Sequence, residues 1–340
     1  MFRKLIITTF IAILVAKSSN ADEIQMSNGS RLIGELIRIE ADKVIFSTPF
    51  AGTITISQDN VERITTKDPV TLMMKNGTVY RERQIIATEQ TMLMKSEDMA
   101  SVVFDASDIE MVNPEPWKLG EGYQWSARFS VATEAKRGNS DSDEWDLKAS
   151  SAWLSLKDRY TLKGNIEFEE SRGIKTEDNW YLFSKYDRFL EPGSKNYRGA
   201  KLSFEYDQFE DIDLRTVLGP HLGRQFSKSQ RFKLEMELGP VWVNENYADG
   251  AKEDWVGALW FIDASTDIIG FGSTLYFDHD GILKVEEPSE TILNAILGIR
   301  FPIAGGFETA FEIEYEYDGG AVEGVDKLDT TYNLRLGYSW

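Results

Sequence analysis

The sequence predicts an all-β protein: a 12-stranded antiparallel transmembrane β-barrel preceded by a duplicated small β domain of SH3- or Sm-like type. Three observations predict it. The last nine residues alternate apolar and polar without a fault, residues 22–116 repeat themselves, and long alternating runs fill what lies between.

The chain opens with a leader. Arg3 and Lys4 precede an apolar run from Leu5 to Ala16, and Ser19 and Ala21 occupy the −3 and −1 positions of a cleavage site. Residues 1–21 therefore read as a secretory signal peptide, too short in its apolar core to span a bilayer. The chain has no Cys, which excludes a lipoprotein anchor, disulfides and thiolate chemistry. No later window holds the roughly eighteen uncharged apolar residues of a spanning helix, so membrane insertion requires a closed barrel. Removing Arg3, Lys4 and Lys17 moves the formal charge from −19 to −22. Such a chain repels nucleic acid and has no polybasic face for lipid headgroups.

Residues 22–69 and 70–116 are two copies of one unit. Ile24, Met26, Asn28 and Gly29 recur as Leu72, Met74, Asn76 and Gly77; Val44, Phe46, Ile64 recur as Met92, Met94, Val112. Each copy reads as about five short strands opened by an Asn-Gly hairpin, expected as a type I′ turn with φ > 0 at both central residues. Two small barrels, or one pseudo-symmetric pair of packed sheets, satisfy the pattern equally. Such a domain serves as a folded spacer or binds a peptide, a periplasmic protein or a glycan. Asn113-Pro114-Glu115-Pro116 is a stiff linker, because each Pro fixes φ.

From residue 117 to 340 the texture is that of the barrel. Twelve strands are expected near 123–133, 144–156, 159–169, 179–190, 197–207, 213–225, 230–243, 253–263, 267–278, 291–301, 306–316 and 329–340. Runs this long match tilted spanning strands rather than the five or six residues common in soluble sheets. Connections after even strands read as tight and those after odd strands as longer and acidic, the asymmetry of periplasmic turns and extracellular loops. An even strand count then places both barrel termini, and the duplicated domain, on the periplasmic side.

The closing strand carries Tyr332, Leu334, Leu336, Tyr338 and Trp340 on one face, an apolar row ending in interfacial aromatics suited to membrane insertion. Earlier strands repeat the pattern, with Trp145, Leu147 and Trp153, or Tyr160, Leu162, Ile166 and Phe168, on the apolar side. Opposite them stand charges: Asp146, Lys148, Lys163, Glu167, Glu169, Lys201, Glu205, Asp207, Lys233, Glu235, Glu237, Glu308, Glu312, Glu314, Glu316 and Arg335. A Lys or Arg facing lipid costs about 2–4 kcal/mol at the bilayer midplane, so these residues are expected to line the lumen. Five bases against eleven acids imply cross-strand ion pairs, and the excess acid favours cations over anions if water is continuous. Trp255 to Ile262 is nearly continuous in apolar character and leaves the faces of that strand open.

Enzyme signals are weak. Acyl transfer needs a nucleophile and a base in reach. His221 lies within the sixth strand with Ser227 poorly placed, and His279, in Asp278-His279-Asp280-Gly281, is expected at the start of a loop. Asp278, His279 and Asp280 together could bind a metal only weakly, because the further ligands of an EF-hand-like loop are missing, and no cofactor is indicated.

Residues from about 122 to 340 resemble the salt-induced outer-membrane protein family. The resemblance is carried by Gly138-Asn139-Ser140-Asp141-Ser142, Tyr186-Asp187-Arg188-Phe189, Asp207 with Phe209, then Asp211, Leu214, Arg215, Gly219, Gly223, Gly239-Pro240 and Asp329 ahead of the closing strand. Ser140 stands where that family usually has Thr. The resemblance implies an outer-membrane barrel without an established activity, and a cluster of Tyr186, Arg188, Asp207 and Arg215 across strands four to six. The expectation is a Gram-negative outer-membrane protein with outer-membrane lipid around it and the barrel-assembly machinery as its partner during insertion. Its role is structural or stress-adaptive, or that of a narrow cation-preferring channel. The alternative is an envelope scaffold that recruits a partner through its periplasmic domain.

Overall fold

The structure, a computed structural model, describes residues 21–88, 91–95, 101–136, 142–229, 231–321 and 326–340. Residues 1–20 of the leader and 138–141 of the first long loop lie outside them. The chain divides into two compact units, Met1–Glu115 and Pro116–Trp340.

The first unit holds β1 (Asp22–Met26), β2 (Arg31–Glu40), β3 (Lys43–Thr48), β4 (Gly52–Ser57) and β5 (Val61–Thr65), then β6 (Val70–Met74), β7 (Val79–Ala87), β8 (Met92–Lys95), β9 (Val102–Phe104) and β10 (Ile109–Val112). In each copy the opening strand pairs with the second and fifth, β1 with β2 and β5, β6 with β7 and β10. The copies then merge. β10 also pairs with β2, and one sheet path runs β4-β3-β2-β10-β6-β7-β8-β9. A single core draws Ile24, Ile39, Val44, Phe46 and Ile64 from one copy and Leu72, Ile85, Met92, Met94, Ile109 and Val112 from the other. Of the two arrangements the repeat allows, the structure has the pseudo-symmetric pair. A copy of some fifty residues buries too little surface to stand alone, whereas the pair shares one interior.

The hairpins open differently from expectation. Gly29 and Gly77 have φ of +84° and +83°, but Asn28 and Asn76 are not left-handed, so the turns are not type I′. Each Asn instead accepts, on Oδ1, the N–H of the residue two on, Ser30 at 3.0 Å and Thr78 at 2.9 Å. That Asx turn explains why Asn precedes Gly in both copies.

The second unit is a closed antiparallel barrel. Its strands are β11 (Gln124–Lys136), β12 (Ser142–Leu154), β13 (Asp158–Ser171), β14 (Ile174–Phe189), β15 (Asn196–Asp207), β16 (Ile212–Lys228), β17 (Phe232–Tyr247), β18 (Lys252–Thr266), β19 (Thr274–Lys284), β20 (Ile292–Ala304), β21 (Phe307–Asp318) and β22 (Leu328–Ser339). β22 closes on β11 with Tyr338 opposite Phe129 and Leu336 opposite Val131.

Two expectations about its strands fail. The ninth strand is displaced toward the C-terminus, from 267–278 to 274–284. Ile268 to Phe271 reads as strand by hydropathy, yet Gly270, Phe271 and Gly272 all have positive φ and bend the chain into a loop. His279 consequently sits mid-strand, not at a loop start. The contrast in connection length also dissolves. The end bearing the termini has connections 155–157, 190–195, 229–231, 267–273 and 305–306; the other end has 137–141, 172–173, 208–211, 248–251, 285–291 and 319–327. These lengths overlap, because β14 begins earlier than expected and closes on β13 through Arg172-Gly173. The ends are called here the turn end, where β11 starts and β22 stops, and the loop end.

The outer wall is apolar throughout its height. Leu162, Ile166, Leu182, Leu218, Leu222, Leu238, Val256, Leu297, Leu334 and Leu336 are exposed on it. Aromatics gather at both rims. Trp125, Tyr160, Tyr186, Phe307 and Trp340 stand exposed at the turn end, with Tyr338 4.7 Å from Trp340; Trp145, Trp180, Trp242 and Tyr315 stand exposed toward the loop end. Trp255 to Ile262 resolves as well: Trp255 and Leu259 are buried inside, Val256 faces out. A cylinder of hydrogen-bonded strands with a greasy, aromatic-rimmed exterior and a charged interior is a membrane-spanning barrel of the outer-membrane type.

Candidate functional site in the barrel lumen

The interior charges fall into clusters that alternate with open space. At the turn end, Arg159 of β13 makes a bidentate pair with Glu235 of β17, at 2.6 and 3.0 Å, and donates to Asp187 of β14 at 2.8 Å. Lys185 pairs with Glu237, which also accepts the Tyr197 hydroxyl at 2.7 Å; His221 donates from Nε2 to Asp187 at 2.7 Å. The strands are shaped to admit these rings. A Cβ on Gly223 would lie 2.2 Å from the Tyr197 ring, and one on Gly199 would lie 2.6 Å from His221 Nε2. Two cations serve three carboxylates here, and neutral donors complete the shell, as buried ion pairs require.

A second cluster, on β12, β21 and β22, has the same stoichiometry. Arg335, 2% exposed, contacts Asp146, Glu312 and Glu314; Lys148 pairs with Glu314, Tyr276 with Glu312, and Asn333 donates to Glu314 at 2.8 Å. At the loop end Arg215 alone answers three acids: Glu245 at 2.6 Å, Glu205 at 2.8 Å and Asp318 at 2.9 Å. Beside it Lys284 binds Glu253 and Glu290 at 2.6 Å and Glu287 at 3.2 Å. A second, smaller turn-end group reverses the ratio, with Arg128 and Arg300 sharing Glu308 at 2.7 and 3.2 Å.

Between these clusters lies a cavity of about 490 Å³, reaching from Arg128 and Arg300 to Asp318 and Asp329. Acidic side chains on its lining outnumber basic ones thirteen to six, so water inside it sits in a negative field. Glu210, in the connection 208–211, lines the loop-end mouth; burial first, then Glu205 and Asp207, push its carboxyl up to about 8.

The candidates from alternation distribute as follows. Lys163, Glu167, Glu205, Asp207, Glu312, Glu314 and Glu316 line the cavity. Glu235 and Glu237 belong to the turn-end cluster and Arg335 to the second, while Lys201 is buried with its Nζ 6.0 Å from the Phe183 ring. Glu169 lies half-buried toward the loop end opposite Glu144 and Glu177, and Lys233 is exposed at the rim. Tyr332, Leu334, Leu336 and Trp340 are exposed on the outer wall, with Tyr338 packed between Phe307 and Trp340. The proposed cluster of Tyr186, Arg188, Asp207 and Arg215 does not exist as one group. Tyr186 and Arg188 approach Asp158 at the turn end, whereas Asp207 holds the N–H groups of Phe209 and Glu210 and Arg215 binds its own acids at the loop end. The register, Asn179 opposite Asp207 and Arg188 opposite Arg198, separates them by most of a strand.

Sequence reasoning missed Arg159, Lys185, Asp187, Arg128 and Arg300. Arg159 was findable, since it shares the parity of Lys163. It also missed Asp263, and it read Asp278 and Asp280 as loop residues able to hold a metal only weakly, because Asp280-Gly281 reads as a turn. Both histidines are engaged: His279 donates from Nδ1 to the Asn294 carbonyl at 2.7 Å and accepts the Trp260 indole N–H at 2.9 Å. Among the described residues two groups gather three possible metal ligands, Asp187-His221-Glu237 and Glu253-Glu287-Glu290. Arg159 and Lys185 neutralise the first and Lys284 the second, so a metal ion would have to displace the protein's own cations.

Among curated proteins none matches this sequence. Of solved structures, the barrel is similar to the NanC porin, at 13% identity over 64% of this chain and 99% of that one with a TM-score of 0.40. It is similar also to an outer membrane channel of Pseudomonas putida F1, at 12% identity over 64% and 96% with a TM-score of 0.40. A third is the translocator domain of the autotransporter NalP from Neisseria meningitidis, at 13% identity over 65% and 88% with a TM-score of 0.37. Residues 129–340 match the family described as "Protein of unknown function, DUF481", which spans more than half of the sequence. The chain belongs to that family.

Proposed function

We propose that this protein is a Gram-negative outer-membrane barrel that admits small cations through its lumen, without enzymatic chemistry, in support of envelope adaptation to ionic or osmotic stress. One observation carries the reading: a cavity runs nearly the height of the barrel, and the charges along it are graded. The turn end sets four cations, Arg128, Arg159, Lys185 and Arg300, against four acids, Glu308, Asp187, Glu235 and Glu237, while Arg215 and Lys284 each answer three acids at the loop end. A negative mouth concentrates cations and repels anions. The secretory leader and the greasy wall support the outer-membrane location, and the even strand count supports periplasmic termini and a periplasmic N-terminal unit.

Reconstituted in a planar bilayer, the folded protein should pass current, with a reversal potential in a KCl gradient that favours K⁺ over Cl⁻. A correctly folded barrel that carries no current would overturn the proposal. A second reading, an envelope scaffold, is favoured by the first unit, whose sheet path ends on β4 and β9 and offers an edge for strand addition. Loss of co-purifying envelope proteins on deleting residues 22–115 would support it.

A further inference from the structure

Most lumenal charges meet an opposite charge at contact distance; among those that do not, one set carries both signs. Lys163 on β13 and Lys201 on β15 stand on one wall, and Asp263 on β18 with Asp278 and Asp280 on β19 stand across from them. All but Lys201 line the cavity. Among the described residues none of these five makes an ion pair within 4.0 Å. They nevertheless face one another: Lys163 is the base acting on Asp263, and Asp280 is the acid nearest in effect to Lys201. Phe261 stands between the walls, with Lys163 Nζ 5.6 Å from its ring centroid. Asp263 and Asp278 sit directly opposite each other in the β18–β19 register, and Asp280 has only the Asn294 amide, at 3.4 Å.

Like charges placed opposite across a strand pair destabilise a sheet unless they share a proton, as the hydrogen-bonded Asp263 and Asp278 side chains can, or something positive approaches them, which Asp280 also needs. In the other clusters that something is a side chain; here the bases stop short, and cavity lies between. We infer that these walls form a binding site for a small zwitterion, whose ammonium group meets Asp263, Asp278 and Asp280 and whose carboxylate meets Lys163. The inference rests on the barrel being a passage. A solute bearing both charges gains at both walls, whereas a simple cation or anion gains at one and is repelled by the other.

The test compares three solutes of one length, 4-aminobutyrate, butyrate and butylammonium, entering liposomes that contain the full-length protein, with KCl conductance measured in parallel. The zwitterion should enter several-fold faster than either singly charged analogue. Lys163→Gln and Asp280→Asn, each first shown to fold by heat-dependent gel migration, should bring the ratios close to one. The wild-type comparison decides the matter even where a variant does not fold. Conductance in KCl without a zwitterion preference overturns the inference and leaves the passage standing. Absence of both conductance and solute entry overturns the passage and the site together.

Discussion

Arg335 shows how a single residue holds the barrel. It lies on the closing strand, almost wholly buried, and contacts acids of β21 beside it and of β12, one strand beyond β11, so it reaches across the β11–β22 seam. Removing one partner of a buried ion cluster costs about 3–5 kcal/mol, because the remaining charges are left uncompensated. Arg335→Met should therefore lower the unfolding free energy of the barrel by that amount, seen as a lower urea midpoint for the loss of heat-modifiable migration. Arg335→Lys should recover only part, since an ammonium lacks the planar fork that spans three carboxylates. Glu210 makes a different prediction. Its carboxyl, raised to about 8, is neutral at pH 7 and ionises as pH rises through that value. The raised value also means that its deprotonation weakens the folded mouth rather than strengthening it. In bilayers the K⁺/Cl⁻ permeability ratio should climb between pH 7 and 9, and Glu210→Gln should flatten the climb.

At the scale of the element, alternation told the truth wherever one face met lipid and the other met charge. β12, β13, β21 and β22 were legible for that reason, since a one-residue slip would put a row of charges into hydrocarbon. β18 was not, because Trp255, Leu259 and Phe261 point inward and erase the contrast between faces. β19 was misplaced because hydropathy cannot see backbone sign: Ile268 to Phe271 is apolar, but the chain turns through positive φ at Gly270, Phe271 and Gly272. The ion clusters escaped for a further reason. Parity assigns a residue to the lumen, but which acid meets which base depends on register across several strands, and no local pattern encodes that. In the first unit the legible feature was the repeat, and the hidden one was how its copies join. Gln58, buried in the first copy, donates from its amide to the carbonyls of Ala106 and Ile109 in the second, at 3.0 and 2.9 Å. The equivalent position in the second copy is Ala106, so the bridge is asymmetric. Gln58→Ala takes this donor from the buried Ile109 carbonyl and one of two donors from that of Ala106, which also accepts the Ile109 N–H, at about 1–3 kcal/mol for an unsatisfied group. It should lower the thermal midpoint of the first unit, followed by circular dichroism, while the heat-modifiable migration of the barrel stays unchanged.

For the whole molecule the two units are stabilised by different physics. The first has an apolar core shared by both copies and a polar exterior, the arrangement that water stabilises through burial. The second inverts it, with apolar residues outside, ion clusters inside and a backbone satisfied strand to strand around a closed ring. Hydrogen bonding and ion pairing in a low-dielectric surround hold such a barrel, so heat and denaturant act on it differently from a soluble domain. Divided between Glu115 and Pro116, the chain should therefore unfold in two separate transitions. Residues 22–115 alone should be a soluble β protein with a single cooperative unfolding in urea without detergent. Residues 116–340 should require detergent or lipid, migrate as a compact species on unheated gels, and resist urea concentrations that melt the first unit. A single shared transition in the full-length protein, monitored by both signals, would show that the units are energetically one body and would contradict this division.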